Sequence, residues 1–438
     1  MKKRISELTA DLEEQLVKWR RDLHRNPEPG WMEFRTASIV IDHLTRMGFR
    51  VMYGPELFRE EAMMGLPTTE KVEAARERAR SQGVDEKILA AMADCKTGVV
   101  GVLETGKEGP TVGFRFDMDA LELAEACDQA HRPFAEGFAS VNPGVMHACG
   151  HDAHTAIGLG LATILGGLKD HLKGRIKLVF QPAEEGGRGA KSMAESGIVD
   201  DVDYMMGIHV GLSQTELGQI VCGADANGFT ATTKVDVTFR GKSAHAGQEP
   251  ELGRNTLLAA AMAVVGLHGI SRHGGGSTRV NVGTLVAGSG RNIIPSEAKL
   301  AVETRGATSE LDKYMLERAY EVINGAAVMQ NVTVETKVVG AVSGGKPSEE
   351  LANRIAEVAK PIKAIHNAIP MGPFSTGGSD DYAYFMTRVQ EVGGQATCIV
   401  LGTELAAGHH NPYFDINEGV LTLGVELLAQ VAYALTTA

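Results

Sequence analysis

The sequence predicts an α/β fold: an open mixed sheet flanked by helices, interrupted by a smaller α+β unit of order βαββαβ. Three observations predict it. Short apolar runs at 98–103, 111–116, 176–180 and 204–210 are followed by helix-like stretches such as 155–168, the alternation expected of an open α/β sheet. Composition shifts near residue 225, and strand, helix, strand, strand, helix, strand follow at about 230–239, 254–270, 278–287, 297–304, 308–328 and 332–339, which fits a ferredoxin-like sandwich with helices on one face. Gly344, Gly345 and Pro347 then mark a return to alternating helices and strands. The reading is a discontinuous domain at 1–224 and 341–438 around an inserted domain at 225–340.

The remaining elements follow in order. Leu8, Leu12, Leu16, Trp19 and Leu23 recur at helical spacing, so the chain opens with an amphipathic helix. Pro27, Pro29 and Gly30 end it. A second helix is expected at 36–48. Residues 69–94, rich in Glu, Arg, Lys and Ala, read as a pair of surface helices in an insert spanning about 55–95. Their charge is most simply a solvated face.

Composition excludes several functions. A chain of 438 residues with 43% hydrophobic and 22% charged residues has the make-up of a soluble globular protein of two domains. A net charge of -12 argues against nucleic acid, since no basic stripe exists to neutralise phosphates. A small anionic substrate needs only a local cationic pocket. Cys95, Cys127, Cys149, Cys222 and Cys398 are scattered and form no C-x-x-C pair, a reduced, cytoplasmic pattern. The basic start has no apolar core behind it, so no signal peptide is expected, and no uninterrupted apolar run reaches membrane-spanning length.

The chemistry is concentrated in a few segments. Met146-His147-Ala148-Cys149-Gly150-His151-Asp152 sets a thiol and an imidazole two residues apart at an expected strand-to-helix junction, with His154 close behind. Either residue alone would be an ordinary buried side chain, but the density favours metal. Glu184 and Glu185 follow an apolar strand and precede Gly186-Gly187. One carboxylate can hold metal while the other moves protons. His209 ends a further apolar strand. His409-His410-Asn411-Pro412 is a loop in which only one imidazole need be a ligand. Thiolate, imidazole and carboxylate together suit zinc or manganese. In the inserted domain His245 protrudes between small residues, and Gly288-Ser289-Gly290-Arg291-Asn292 presents a guanidinium and an amide suited to a carboxylate. The loop 375–381 is polar and Gly-rich but lacks a P-loop lysine.

Together the segments M-H-A-C-G-H-D, Q-P-A-E-E-G, I-H-V, G-K-S-A-H-A, R-N-I-I-P and H-N-P-x-F resemble the amidohydrolase branch of the dinuclear-metal aminoacylase and carboxypeptidase family, in order from about residue 19 to the C-terminus. W-R-R-D-L-H at 19–24, the insert at 55–95, F-R-F-D-M-D-A-L at 114–121 and A-A-G-H-H-N at 406–411 narrow the resemblance to members that split acylated glutamate.

The resemblance implies a metal-dependent amidohydrolase that cleaves p-aminobenzoyl-glutamate to p-aminobenzoate and glutamate. Its alternatives are other N-acyl amino acids of hippurate type, or a chain that is active only with a related B chain. It implies that Cys149 bridges two divalent ions, Mn2+ or Zn2+, with His151 and His209 completing one and Glu185 and His410 the other. His410 is preferred over His409 because it directly precedes Asn-Pro. Glu184 would be the general base. His245, on an inserted lid and dimerisation domain, would stabilise the oxyanion and reach into a neighbouring subunit's cleft. Asn292 and Arg291 would hold the substrate carboxylate. The assembly implied is a homodimer or a heteromer with a related B subunit. Relatives with His and Asp ligands carry His-x-Asp near residue 117; here Asp117-Met118-Asp119 stands instead, which leaves the roles of these two acids open.

Overall fold

The computed structural model describes residues 1–212, 214–223, 229–372 and 379–437. The chain forms two compact units, Met1–Gly228 with Lys346–Ala438, and Phe229–Gly345.

The strands are β1 Arg50–Tyr53, β2 Val99–Glu104, β3 Thr111–Asp117, β4 Arg175–Gln181, β5 Tyr204–Val210, β6 Gln219–Val221, β7 Ala231–Arg240, β8 Thr278–Ala287, β9 Glu297–Gly306, β10 Thr333–Val342, β11 Asn367–Ile369 and β12 Gln395–Leu401. The first unit holds an eight-stranded sheet in the order β1-β2-β4-β3-β5-β12-β6-β11. Its centre is parallel: β3 pairs with β4 (Phe116 opposite Phe180) and with β5 (Val112 opposite Tyr204), and β12 pairs with β5 (Val400 opposite His209). β1, β2 and β4 are joined antiparallel. β3 is buried along its whole length, as a central strand covered on both faces must be. The helix His151–Gly167 lies against these strands. Its Gly158 is required there, because a Cβ would come within 2.8 Å of both Phe116 and Phe180. The helix begins at His151, directly after Gly150 in the left-handed conformation.

Several expected elements differ in detail. The opening helix divides into Lys2–Ala10 and Glu13–Arg25. Leu12 N donates to Thr9 O, a tighter turn that interrupts the ladder while Leu12 stays against the core. The insert contains helices Thr69–Ser81 and Glu86–Ala91, and is not only surface: Ala75, Ala79, Leu89 and Met92 belong to the main core. β1, β6 and β11 have too few residues for an alternation to register in the sequence. The C-terminal helix Gly419–Thr437 is long and apolar enough to cross a membrane, yet 72% of it is buried within the fold. Glu426 and Gln430 interrupt its apolar run and bond to each other at 2.9 Å.

The second unit is an antiparallel sheet in the order β10-β7-β9-β8. Helices Thr256–His268 and Ser309–Met329 pack on it through Ala259, Ala263, Met315 and Ile323 against Val235, Val237, Phe239 and Leu300. This is the βαββαβ order of a ferredoxin-like sandwich. β10 was expected to end at 339; it continues to Val342 because Ala341 and Val342 still pair with Thr233 and Thr232, so the unit closes at Gly345 rather than 340.

Candidate metal centre

The carboxyl ends of β3, β4 and β5 converge, as ligand-bearing ends of an open α/β sheet do. Asp117 is the last residue of β3, and His209 is next to last in β5. Glu184 and Glu185 sit in the turn that follows β4. The strands of His209 and Glu185 are not neighbours, since β3 lies between them. Cys149 and His151 flank Gly150, which has φ +89° and whose Cβ would strike Val210 at 2.4 Å. No strand precedes them: Met146 makes only an isolated bridge to Leu121. The Glu184–Glu185 turn begins at Ala183 with φ +51°, a left-handed conformation that costs a non-glycine residue roughly 1–2 kcal/mol.

Four groups of donor atoms lie there, the atoms of each within 4.8 Å of one another: Cys149, His151 and His209; Cys149, Glu185 and His410; His151, Glu184 and Glu185; and Asp117, His151 and His154. Cys149 is common to the first two. Its sulfur is 3.6 Å from His209 Nε2, whose Nδ1 donates to Val210 O at 3.0 Å. His151 Nδ1 donates to Asp119 O at 2.9 Å, and its buried Nε2 has no hydrogen bond. Buried Glu185 Oε1 has none either, and lies 3.3 Å from His410 Nε2. One ring nitrogen tied to a carbonyl and the other left bare is how ligand histidines are oriented. A buried polar atom without a partner costs about 1–3 kcal/mol, which a cation would offset. The donor set of one sulfur, imidazoles and carboxylates fits divalent metal ions.

Burial dominates the electrostatics of the centre. Burial, then the charges of Asp380, Glu185 and Asp381, hold the Glu184 carboxyl well above the usual range. Burial, then Glu185, pushes the Cys149 thiol up. Burial and the neighbouring His154 and His409 hold His209 well below its ordinary value. His151 is opposed by burial, but Asp117 and Asp119 raise it. A nearby cation reverses this logic, deprotonating a thiol and stabilising carboxylates.

Of the two acids with open roles, Asp119 ties down the Glu184–Glu185 turn, and Asp117 lies in a buried network as well as in one of the donor groups. Asp119 accepts Glu184 N at 3.0 Å and Glu185 N at 2.9 Å, and Glu33 accepts Ala183 N at 2.8 Å. Two buried carboxylates thus hold three successive amides of the turn. Asp117 accepts His154 Nδ1 at 2.5 Å and Arg115 Nη1 at 2.6 Å. His154 Nε2 in turn accepts Val210 N, so both its nitrogens are used. Arg115, fully buried, also reaches Gln181, Asp380 and Asp381. Of the loop 375–381, residues 375–378 lie outside the described residues. Arg20 donates to Asp152, beside His151, at 2.9 Å and to Asp415, just beyond His410, at 2.8 Å. Sequence reasoning misses Arg20, Glu33, Arg115 and Asp415, whereas Asp117 and Asp119 stand out there with their roles open. Arg20 and His24, one helical turn apart in W-R-R-D-L-H, were the signal available.

His409 packs its ring on His209 (5.4 Å) and Phe414 (5.0 Å), whereas His410, at φ +60°, faces Glu185. His245, Arg291 and Asn292 belong to the second unit and are exposed. His245 bridges to Ile293, and Ala246 N donates to Asn292 O at 3.0 Å, so these residues share one edge of that unit.

Fold and site together define a metal-dependent hydrolase class. Residues 113–434 match the profile of Peptidase family M20/M25/M40, and the chain belongs to that family. It is an amide-bond hydrolase. The chain is 49% identical over 428 residues, 98% of its length and 97% of the relative's, to indole-3-acetyl-aspartic acid hydrolase of Enterobacter agglomerans. It is 47% identical, with the same coverage, to the A subunit of p-aminobenzoyl-glutamate hydrolase from Escherichia coli strain K12. The solved structure of an aminobenzoyl-glutamate utilization protein from Klebsiella pneumoniae superimposes with TM-score 0.84 at 42% identity, covering 98% of both chains.

Proposed function

We propose that this protein hydrolyses the amide bond of p-aminobenzoyl-glutamate, releasing p-aminobenzoate and glutamate, at a centre where Cys149, His151, His209, Glu185 and His410 would hold two divalent ions, manganese or zinc. One observation carries the reading: the Cys149 sulfur belongs both to the group with His151 and His209 and to the group with Glu185 and His410. The substrate follows the relatives named for p-aminobenzoyl-glutamate.

When bound, such ions polarise a carbonyl and acidify water toward neutrality. Glu184 takes the proton of the attacking water and gives it to the glutamate nitrogen as the C–N bond breaks. His245 donates a hydrogen bond to the developing oxyanion. Asn292 with Arg291 grips the α-carboxylate.

The inserted unit acts as a dimerisation face. Exposed Leu257, Leu258, Met262 and Val265 on one helix, and Val286 on edge strand β8, support this. The partner is a second copy or a related B chain, since the Escherichia coli relative is named as one lettered subunit of its hydrolase. Five cysteines without a disulfide suit a cytoplasmic enzyme. The relative named for indole-3-acetyl-aspartate favours a second reading, hydrolysis of an aryl-acyl aspartate.

The test is metal content and turnover on one purified sample, alone and with a B chain, against p-aminobenzoyl-glutamate, indole-3-acetyl-aspartate and hippurate. Two ions per chain and a preference for the first conjugate are expected. A metal-free active enzyme, or a preference for hippurate, refutes the reading.

A further inference from the structure

Arg188 stands in the same turn as Glu184 and Glu185 and folds back over it. Its backbone N donates to Ala183 O at 3.2 Å, and its Nε donates to Glu185 O at 2.7 Å. Its Nη1 donates to Gly65 O, from the insert, at 3.2 Å. The loop carrying Gly65 is itself tied down, since buried Trp31 donates Nε1–H to Met64 O at 2.8 Å. Gly30 makes the seat: a Cβ at that position would fall 2.4 Å from Arg188 Nη2.

A guanidinium has five N–H donors. Two of these go to neutral carbonyls, and among the described residues the remaining three have no acceptor. No described carboxylate lies within ion-pair distance of Arg188. The other arginines around the centre behave differently. Arg20 reaches Asp152 and Asp415, Arg115 reaches Asp117, Asp380 and Asp381, and Arg132 reaches Asp415 and Glu418. Arg188 is only partly buried, and Nη2 is not among the sealed atoms lacking a partner, so that edge meets solvent. A half-buried guanidinium oriented by carbonyls, uncompensated and open on its Nη edge, is preorganised for a carboxylate from outside the chain.

We propose that Arg188 binds the side-chain carboxylate of the acidic amino acid in the substrate, and so selects N-acyl dicarboxylic amino acids over their neutral analogues. The inference rests on the acyl-glutamate reading, in which the α-carboxylate is already assigned to Asn292 and Arg291. It gives the turn two roles, since Glu184 moves protons at the scissile bond while Arg188, four residues on, reads the leaving group.

The experiment compares kcat/KM of the metal-loaded enzyme for p-aminobenzoyl-glutamate and p-aminobenzoyl-glutamine, in wild type, Arg188→Gln and Arg188→Lys. Wild type should prefer the glutamate conjugate by about 30-fold or more, the effect of leaving a partly desolvated charge unpaired. The preference should collapse toward unity in Arg188→Gln, chiefly through KM, and be partly kept in Arg188→Lys. An unchanged preference in Arg188→Gln, with both conjugates slowed equally, overturns the assignment and leaves Arg188 as a brace of the turn. Product inhibition of the wild type gives a check that needs no variant: glutamate inhibiting no better than glutamine also overturns it. Wild-type enzyme that splits neither conjugate, yet splits hippurate, overturns the proposed function and this inference with it.

Discussion

Asp119 gives the sharpest test of how the centre is built. Its buried carboxylate takes Glu184 N on one oxygen and Glu185 N on the other. Hydrogen bonds to a charged group contribute about 1.5–3 kcal/mol each, so Asp119→Ala removes roughly 3–6 kcal/mol of support from two adjacent amides. Asp119→Asn keeps one acceptor and turns a donor toward the other amide, for a loss of about half that range or more. The turn resists little on its own, because Ala183 sits at φ +51° and only Glu33 still holds its amide. Glu185 should therefore lose its aim as a ligand, and metal affinity should fall about 10–100-fold, the usual effect of removing a partner that orients a ligand. Glu184 shares the clamp, so kcat should also fall at saturating metal. Elemental analysis after dialysis against graded chelator, with kcat measured in excess manganese, reads both. His151 donates to the Asp119 carbonyl at 2.9 Å and lies 3.4 Å from its carboxylate, so its aim should loosen as well. Wild-type metal affinity and kcat in Asp119→Asn would refute the claim that this carboxylate sets the turn.

Three further outcomes are expected. Glu184→Gln should keep its metal and lose about 10²–10⁴-fold in kcat; undiminished turnover at saturating metal would remove Glu184 as the base. His410→Ala should lower the metal content of the chain, whereas His409→Ala should keep it and lower the melting temperature, because His409 packs on His209 and Phe414; elemental analysis and calorimetry separate the two, and the reverse pattern would exchange the assignments. Burial lowers His43 to about 4, from an ordinary 6.5, with Nε2 given to Leu159 O at 3.0 Å. The unfolded chain then binds the extra proton first, so stability is full above pH 6.5 and declines as pH falls toward 4. His43→Gln should flatten that decline in urea titrations at pH 7 and pH 5, and an equally steep decline in the variant would show that other groups cause it.

The sequence made the primary donors legible because each stands where local chemistry is loud. Cys149 and His151 flank a glycine before a long apolar helix, and Glu184-Glu185 closes an apolar strand. The supports were quiet for a physical reason. Asp117 and Asp119 stand out in the sequence as acids near a strand end, but their roles depend on partners remote in sequence, His154, Glu184 and Glu185. The same holds for Glu33, which reads as one more acid in a polar stretch yet is buried against Ala183 and Thr97. The fold behaved similarly. Long apolar strands and the βαββαβ order were readable from period and spacing, whereas β6 and β11 exist only because β12 and each other offer them edges.

The charge around the centre explains why these quiet residues matter. Glu33, Asp117, Asp119, Glu184, Glu185, Asp380 and Asp381 are drawn together, and among them Arg115 is the fully buried guanidinium. The imbalance is written in their proton affinities: burial and Asp119 push Glu33 up to about 8, and burial, set against Arg115, leaves Asp381 at about 7. Like charges held this close stay ionised only beside added positive charge. Two divalent cations would supply it, and Glu33, Glu184 and Asp381 would then return toward their ionised form. On that view the acids that never touch metal set the affinity as firmly as those that do. They create an electrostatic demand that bound cations would relieve, and the amide clamp of Asp119 and Glu33 holds the ligand-bearing turn beside it.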